Sequence, residues 1–170
     1  FWFGGNPKSG LIEKCIASWR EFFPDFEIKE WNEENFDVRQ NEYISQAYDA
    51  KKYAFVSDFA RFKVLYDEGG LYFDTDVEVV KTFSDLLERE AFSGFETEKY
   101  INPGLVLWAK EPHNEIIKQM LESYETDSFI NKDGTLNDVT VCVRFTAILE
   151  NYGIKLDDGT VQTCGSFTLY

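Results

Sequence analysis

The sequence predicts an α/β domain in which helices flank a mostly parallel central sheet. Three observations lead there. Segments with helical apolar spacing alternate with short extended apolar runs along the whole chain. Gly or Pro punctuates many of the junctions. The chain has 170 residues, of which 44% are hydrophobic and 17% aromatic, enough for one domain with a proper core. No linker, internal repeat or low-complexity tract divides residues 1–170, so they are expected to form one domain.

Residues 1–3 (Phe-Trp-Phe) read as the end of a strand, and Gly4-Gly5-Asn6-Pro7 as a turn. Leu11, Ile12, Cys15, Ile16, Trp19, Phe22 and Phe23 recur at helical spacing until Pro24 stops the run. Phe26, Ile28 and Trp31 suggest a second short strand, residues 32–40 a polar loop and residues 42–50 a helix. The clearest helix is 54–68, with Phe55, Val56, Phe59, Phe62, Leu65 and Tyr66 on a broad apolar face. Gly69-Gly70 ends it, because glycine accepts a positive φ without steric cost. Leu71-Tyr72-Phe73 then enters the sheet, and Val77, Val79 and Val80 resume extended structure. Residues 91–95 and 105–109 read as strands, 115–124 and 139–152 as helices. The mid-strand start at Phe1 and the abrupt finish at Tyr170 raise the expectation that residues are missing at both ends.

The net charge of −14 argues against nucleic-acid binding, which requires a basic footprint. A phosphate-bearing ligand would need a local cation to offset this field. Cys15, Cys142 and Cys164 form no CxxC pair and are odd in number, which fits a reduced cytoplasmic setting better than a disulfide framework or zinc site. No stretch of 18 apolar residues is present.

Against this background Asp74-Thr75-Asp76 stands out. A bare DxD is weak, since an exposed turn satisfies it equally well. Its context is more specific, because it follows a short apolar strand, at the end where open α/β sheets bind ligands. In extended chain Asp74 and Asp76 would share a face, and two adjacent carboxylates repel unless a cation lies between them. Mg²⁺ and Mn²⁺ take oxygen ligands and often keep one or two carboxylates, with phosphate and water completing the shell. On the preceding helix Asp58 and Arg61 are three apart and share a face. A surface ion pair is the plain reading, but their neighbours Phe55, Val56, Phe59 and Phe62 are apolar, and a charged pair embedded there costs desolvation.

The run from Tyr53 to Arg61, with Tyr66-Asp67-Glu68-Gly69-Gly70-Leu71-Tyr72-Phe73-Asp74-Thr75-Asp76-Val77, resembles the DXD sugar-binding region of glycosyltransferase family 32. The resemblance begins at Phe1-Trp2-Phe3-Gly4-Gly5, continues through Ser18-Trp19, Pro24 and Glu30-Trp31-Asn32, and fades after Gly104. Members include bacterial capsular polysaccharide and lipooligosaccharide transferases, and the glucosyltransferase domain of large clostridial toxins is distantly similar. The resemblance implies a GT-A fold and metal-dependent transfer of a hexose from a nucleotide-diphosphate sugar with retention. A UDP-sugar is favoured over a GDP-sugar. It also implies a saccharide or lipid-linked acceptor, no obligate protein partner, and a cytoplasmic enzyme touching the inner membrane face only through its acceptor. By the same likeness Asp76, with Asp74 directly or through water, would hold Mn²⁺ or Mg²⁺. Asp74 would also contact ribose and sugar. Asp58 and Arg61 would hold the sugar hydroxyls, and Trp2 would stack on the base. Phe1, Tyr53 and Gly70 belong to the same donor-binding expectation. Asn102, in Asn102-Pro103-Gly104, is the polar candidate on the acceptor side, although a plain turn explains it equally well.

Two alternatives stay open. Leu71 to Val77 also resembles the first motif of haloacid-dehalogenase-type phosphatases, in which the first Asp is the nucleophile. A non-catalytic, metal-dependent carbohydrate-binding module would also use an acidic pair. His113, the only histidine, reads as a surface or capping residue.

Overall fold

The computed structural model describes residues 1–170. In chain order the elements are α1 (Gly10–Phe22), α2 (Glu42–Asp49), α3 (Tyr53–Glu68), β1 (Gly70–Tyr72), a 3₁₀ turn (Ser84–Glu88), β2 (Ala91–Thr97), β3 (Tyr100–Ala109), α4 (Glu115–Glu125), α5 (Val141–Glu150), β4 (Gln162–Cys164) and β5 (Phe167–Leu169). Side-chain oxygens of Ser9, Asn41, Asn114 and Thr140 accept from free amides at the starts of α1, α2, α4 and α5. The five helices fall within two residues of their expected ends.

The sheet is mixed rather than mostly parallel. Its order is β1-β3-β2-β5-β4, and only the β2–β5 pair is parallel. The physical reason is the tight connection between β2 and β3: Thr97 pairs with Tyr100, and so short a link can only reverse the chain. The expected strands at residues 1–3 and 26–31 do not form and are not in the sheet. Their one main-chain link is Trp2 N–H to the Trp31 carbonyl, 2.8 Å. In their place β5 and β4, from the carboxyl-terminal region, supply the far edge of the sheet.

Helices α2, α3 and α4 pack together on one side, and α5 lies across β3. One core joins these layers. Phe62 of α3 meets Phe145 of α5 with ring centroids 5.3 Å apart, and Phe145 meets Phe167 of β5 at 5.5 Å. All three rings are fully buried, so each contributes on the order of 2–3 kcal/mol of apolar burial.

Two features of this frame place the site. Gly69 reverses the chain between α3 and β1 with φ +71°, and a Cβ there would come within 3.0 Å of the Ala109 carbonyl oxygen. No other residue permits both the conformation and the approach. The second feature is a bulge in β3. Ser93 pairs with Leu107 but the next residue, Gly94, pairs with Asn102, so residues 103–106 loop out of the ladder toward the tip of β1.

Candidate functional site: a buried ion cluster at the tip of β1

Arg61 stands at the centre of the site, its side chain 4% exposed. One Nη2 hydrogen bond reaches Asp58 Oδ1 at 2.7 Å, one helical step of three residues away on α3. The same guanidinium faces Asp74, with Nη2 3.2 Å from Oδ1 and Nη1 3.4 Å from Oδ2. Its Nε donates to the Ser57 carbonyl at 3.2 Å. The guanidinium carbon also sits 4.9 Å from the centre of the Tyr72 ring, within cation–π range. Tyr72, two residues before Asp74 in the chain, donates its hydroxyl to Asp74 Oδ1. Asp58, Arg61, Tyr72 and Asp74 therefore form one network, and the Asp58–Arg61 pair is buried rather than on the surface.

The β3 bulge completes the floor. The Gly104 carbonyl accepts from the Asp74 amide at 2.7 Å, and Asn102 Oδ1 accepts from the amides of Gly104 and Leu105 at 2.7 and 3.2 Å. The side-chain oxygen of Asn102 thus shapes the bulge. Gly104 is required by proximity: a Cβ there would lie 2.0 Å from Asp74 Oδ2 and 2.7 Å from Arg61 Nη1.

Burial pushes the Asp58 carboxyl up to about 6; the Arg61 charge pulls it down, but Asp74 raises it further. Arg61 answers differently. Burial works against its charge, yet Tyr72, Asp58 and Asp74 together raise its pKa, so the guanidinium stays ionised and the carboxyl is the group that titrates. Burial also raises the Tyr72 phenol well above its ordinary value, keeping the proton that it donates to Asp74.

The turn after β1 corrects the extended geometry expected for the acidic pair. Val77 N–H bonds the Asp74 carbonyl at 3.0 Å, so residues 74–77 form a turn and strict side-chain alternation ends at Asp74. Asp76 is exposed and makes no ion pair. No cluster of three or more His, Cys, Asp or Glu side chains forms a closed metal cage. The donor set instead fits a cation shared with ligand oxygens: Asp76 is free to coordinate, while both Asp74 oxygens already have protein partners.

The remaining candidates lie on the other side of Tyr72. A groove of about 270 Å³ is lined there by Phe1, Trp2, Gly70 and Thr75, and by Arg61 and Tyr72 from the ion cluster. Asp58, Asp74, Asp76 and Asn102 do not line it. Phe1 and Tyr72 rings are 5.5 Å apart, and the Trp2 indole N–H is turned to the Asn6 carbonyl. Tyr53 stands beside the glycine turn, its ring 2.3 Å from where a Cβ on Gly4 would be, and 5.5 Å from the Tyr48 ring. Sequence reasoning missed Tyr72 and Gly104 as site residues. The signals were a hydroxyl two positions before Asp74, on the same strand face, and a glycine inside a strand-like run.

Residues 10–93 match the family model for the glycosyltransferase sugar-binding region containing the DXD motif. That span includes Asp58, Arg61, Gly70, Asp74 and Asp76. No curated protein matches the chain. Among solved structures the PaToxG glycosyltransferase is similar, with a TM-score of 0.61 and 18% identity over 88% of this chain. The chain spans 66% of that protein's length. The fold is therefore one also seen in a glycosyltransferase, and the match over the DXD region supports a glycosyltransferase.

Proposed function

We propose that this chain is a retaining hexosyltransferase of glycosyltransferase family 32, with a GT-A-type donor site, acting in bacterial surface polysaccharide synthesis. Its donor is a nucleotide-diphosphate sugar, UDP-linked in preference to GDP-linked, and its acceptor a saccharide or lipid-linked glycan. The observation that carries this reading is the Asp58–Arg61 pair held in the interior, reaching through Arg61 to the partly exposed Asp74, beside the exposed Asp76. An ion cluster held 4–13% exposed at Arg61 and Asp58 costs desolvation, which a polar ligand such as a sugar offsets.

In this reading Asp58 and Arg61 bind donor-sugar hydroxyls, Asp74 contacts ribose and sugar, and Trp2 stacks on the base. Asp76 and Asp74 would hold Mn²⁺ or Mg²⁺. Such a cation, when bound, offsets the charge left on the β-phosphate as a Lewis acid. The acceptor hydroxyl attacks the anomeric carbon from the face that the diphosphate leaves. The new C–O bond forms as the C–O bond to phosphate breaks, and the hydroxyl proton passes to the departing phosphate oxygen. Arg61 and Tyr72 hold both Asp74 oxygens and Arg61 holds Asp58 Oδ1, an engagement that favours direct attack by the acceptor over a covalent intermediate. The same engagement weighs against a haloacid-dehalogenase-type phosphatase, in which Asp74 would attack phosphate. No helix is long and apolar enough to cross a membrane. A cytoplasmic enzyme meeting the inner membrane face only through its acceptor, without an obligate protein partner, fits the acidic surface.

A thermal-shift panel of UDP- and GDP-sugars, with and without Mn²⁺, tests the reading. A ligand at 100 times its Kd adds about 2.7 kcal/mol, a rise of several degrees in a domain of this size. Asp76→Ala is expected to remove the metal-dependent part; retention of the whole response would overturn the metal assignment. Transfer, or hydrolysis of the nucleotide sugar without acceptor, separates an enzyme from a binding module.

A further inference from the structure

Asp76 owes its place to hydrogen bonds made by the backbone that follows it. Residues 77–80 belong to no strand, so no ladder holds the chain as it leaves the acidic turn. Each of the three peptide groups after Asp76 nevertheless carries a hydrogen bond. The first is fixed within the turn, where Val77 N–H donates to the Asp74 carbonyl at 3.0 Å. The second and third are fixed by side chains of α1. The Trp19 indole N–H donates to the Val77 carbonyl at 2.8 Å, and Val79 N–H donates to Ser18 Oγ at 2.9 Å. Three bonded peptide groups in a row leave the backbone beside Asp76 little freedom.

Both side chains are themselves held. Ser18 is one of the two buried residues of α1, and its hydroxyl also donates to the Cys15 carbonyl at 2.7 Å, so its donor and an acceptor site are both used. Burying a hydroxyl costs desolvation, which these bonds offset only while residue 79 stays in place. The Trp19 ring rests against Phe73 with centroids 5.6 Å apart, so the indole is packed on the same segment that it bonds. Lys14, one turn earlier on α1, adds an exposed ion pair to Glu78 at 2.8 Å, a weak contact beside the other two.

We propose that Ser18 and Trp19 are positioning residues for Asp76, setting from α1 the place at which its carboxylate would meet the divalent cation of a bound nucleotide sugar. The metal belongs to the function proposed above, on which this role rests; the hydrogen bonds do not depend on it. Neither residue is catalytic, since each acts only through the backbone that carries Asp76.

Mn²⁺ binding in the presence of UDP, read from the electron paramagnetic resonance signal of the free ion, tests the role together with amide exchange in the absence of both ligands. Trp19→Phe keeps a ring against Phe73 and loses the donor, and Ser18→Ala loses the hydroxyl. Each is expected to lower Mn²⁺ affinity about five- to tenfold, the effect of one lost hydrogen bond. Ser18→Thr, which keeps the hydroxyl, is expected to restore it. In Ser18→Ala the Val79 amide should exchange at least about tenfold faster while the Phe62 and Phe145 amides of the core keep their protection. Undiminished Mn²⁺ affinity in both Trp19→Phe and Ser18→Ala, with Asp76→Ala alone weakened, would overturn the positioning role and leave the metal assignment standing. Equal affinity in the unsubstituted chain and Asp76→Ala would overturn the metal assignment and this role with it. If Ser18→Ala does not fold, Trp19→Phe decides by the same criterion.

Discussion

The two edges of β1 are built in opposite ways. The edge facing β3 is fully paired, and its tip is held by the Asp74–Gly104 main-chain bond and by the Arg61 cluster. The edge facing the groove pairs with no strand, and its neighbours are mostly aromatic and aliphatic, with Lys8, Lys29, Glu30 and Glu68 at the groove as well. Polar precision is therefore concentrated on one side of Tyr72 and apolar accommodation on the other. The division matches the two halves of a nucleotide sugar: charged and hydroxylated groups need fixed partners, while a flat base needs an apolar surface.

Removing Arg61 breaks the polar side most severely. Arg61→Ala leaves Asp58 and Asp74 facing each other without a cation, and is expected to cost about 3–5 kcal/mol of stability. Transfer should fall by about 10³-fold or more. Urea unfolding and single-turnover assays read the two effects. Gly104→Ala comes next. The added methyl would lie 2.0 Å from Asp74 Oδ2 and push it aside, and a displacement on the order of 1 Å lowers kcat about 10²-fold. The circular-dichroism spectrum should be retained.

The pH response of Asp58 sharpens the comparison, because stability and activity move in opposite senses. Its folded pKa of about 6 lies above the ordinary 3.8. The folded protein thus keeps a proton that the unfolded chain has lost. The Asp58 contribution to stability is full below about pH 4 and is lost as pH rises through 6. In its proposed role of binding the donor sugar Asp58 acts as the carboxylate, so the rate should fall about tenfold per pH unit below 6. Asp58→Asn is expected to lower the rate and erase that acid limb. The smallest effect belongs to the apolar side. Trp2→Ala should raise the donor KM about fivefold with kcat nearly unchanged, in line with about 1 kcal/mol of stacking.

Much of this was legible in the sequence where local pattern decides structure. The apolar stripe of α3, Gly69 at its end and the acids after β1 needed no tertiary information. Strand partners did need it. Alternation of helix and strand suggested parallel pairing, but the two-residue link between Thr97 and Tyr100 forces a hairpin, and β5 joins β2 across some seventy intervening residues. The sharing of Asp74 by Arg61 and Tyr72 was equally hidden, because it depends on how α3 lies over β1. Asn102 read as a turn or an acceptor contact, and its side-chain oxygen proves to cap the bulge that carries Gly104.

That bulge holds Asp74 through a backbone carbonyl and an absent methyl, not through any particular side chain. The side chains at the neighbouring positions 105 and 106 consequently have no part in holding Asp74. Leu105 is already 42% exposed, so substitutions there can redraw the surface that the proposed acceptor would meet while the Asp74 carboxylate keeps its seat.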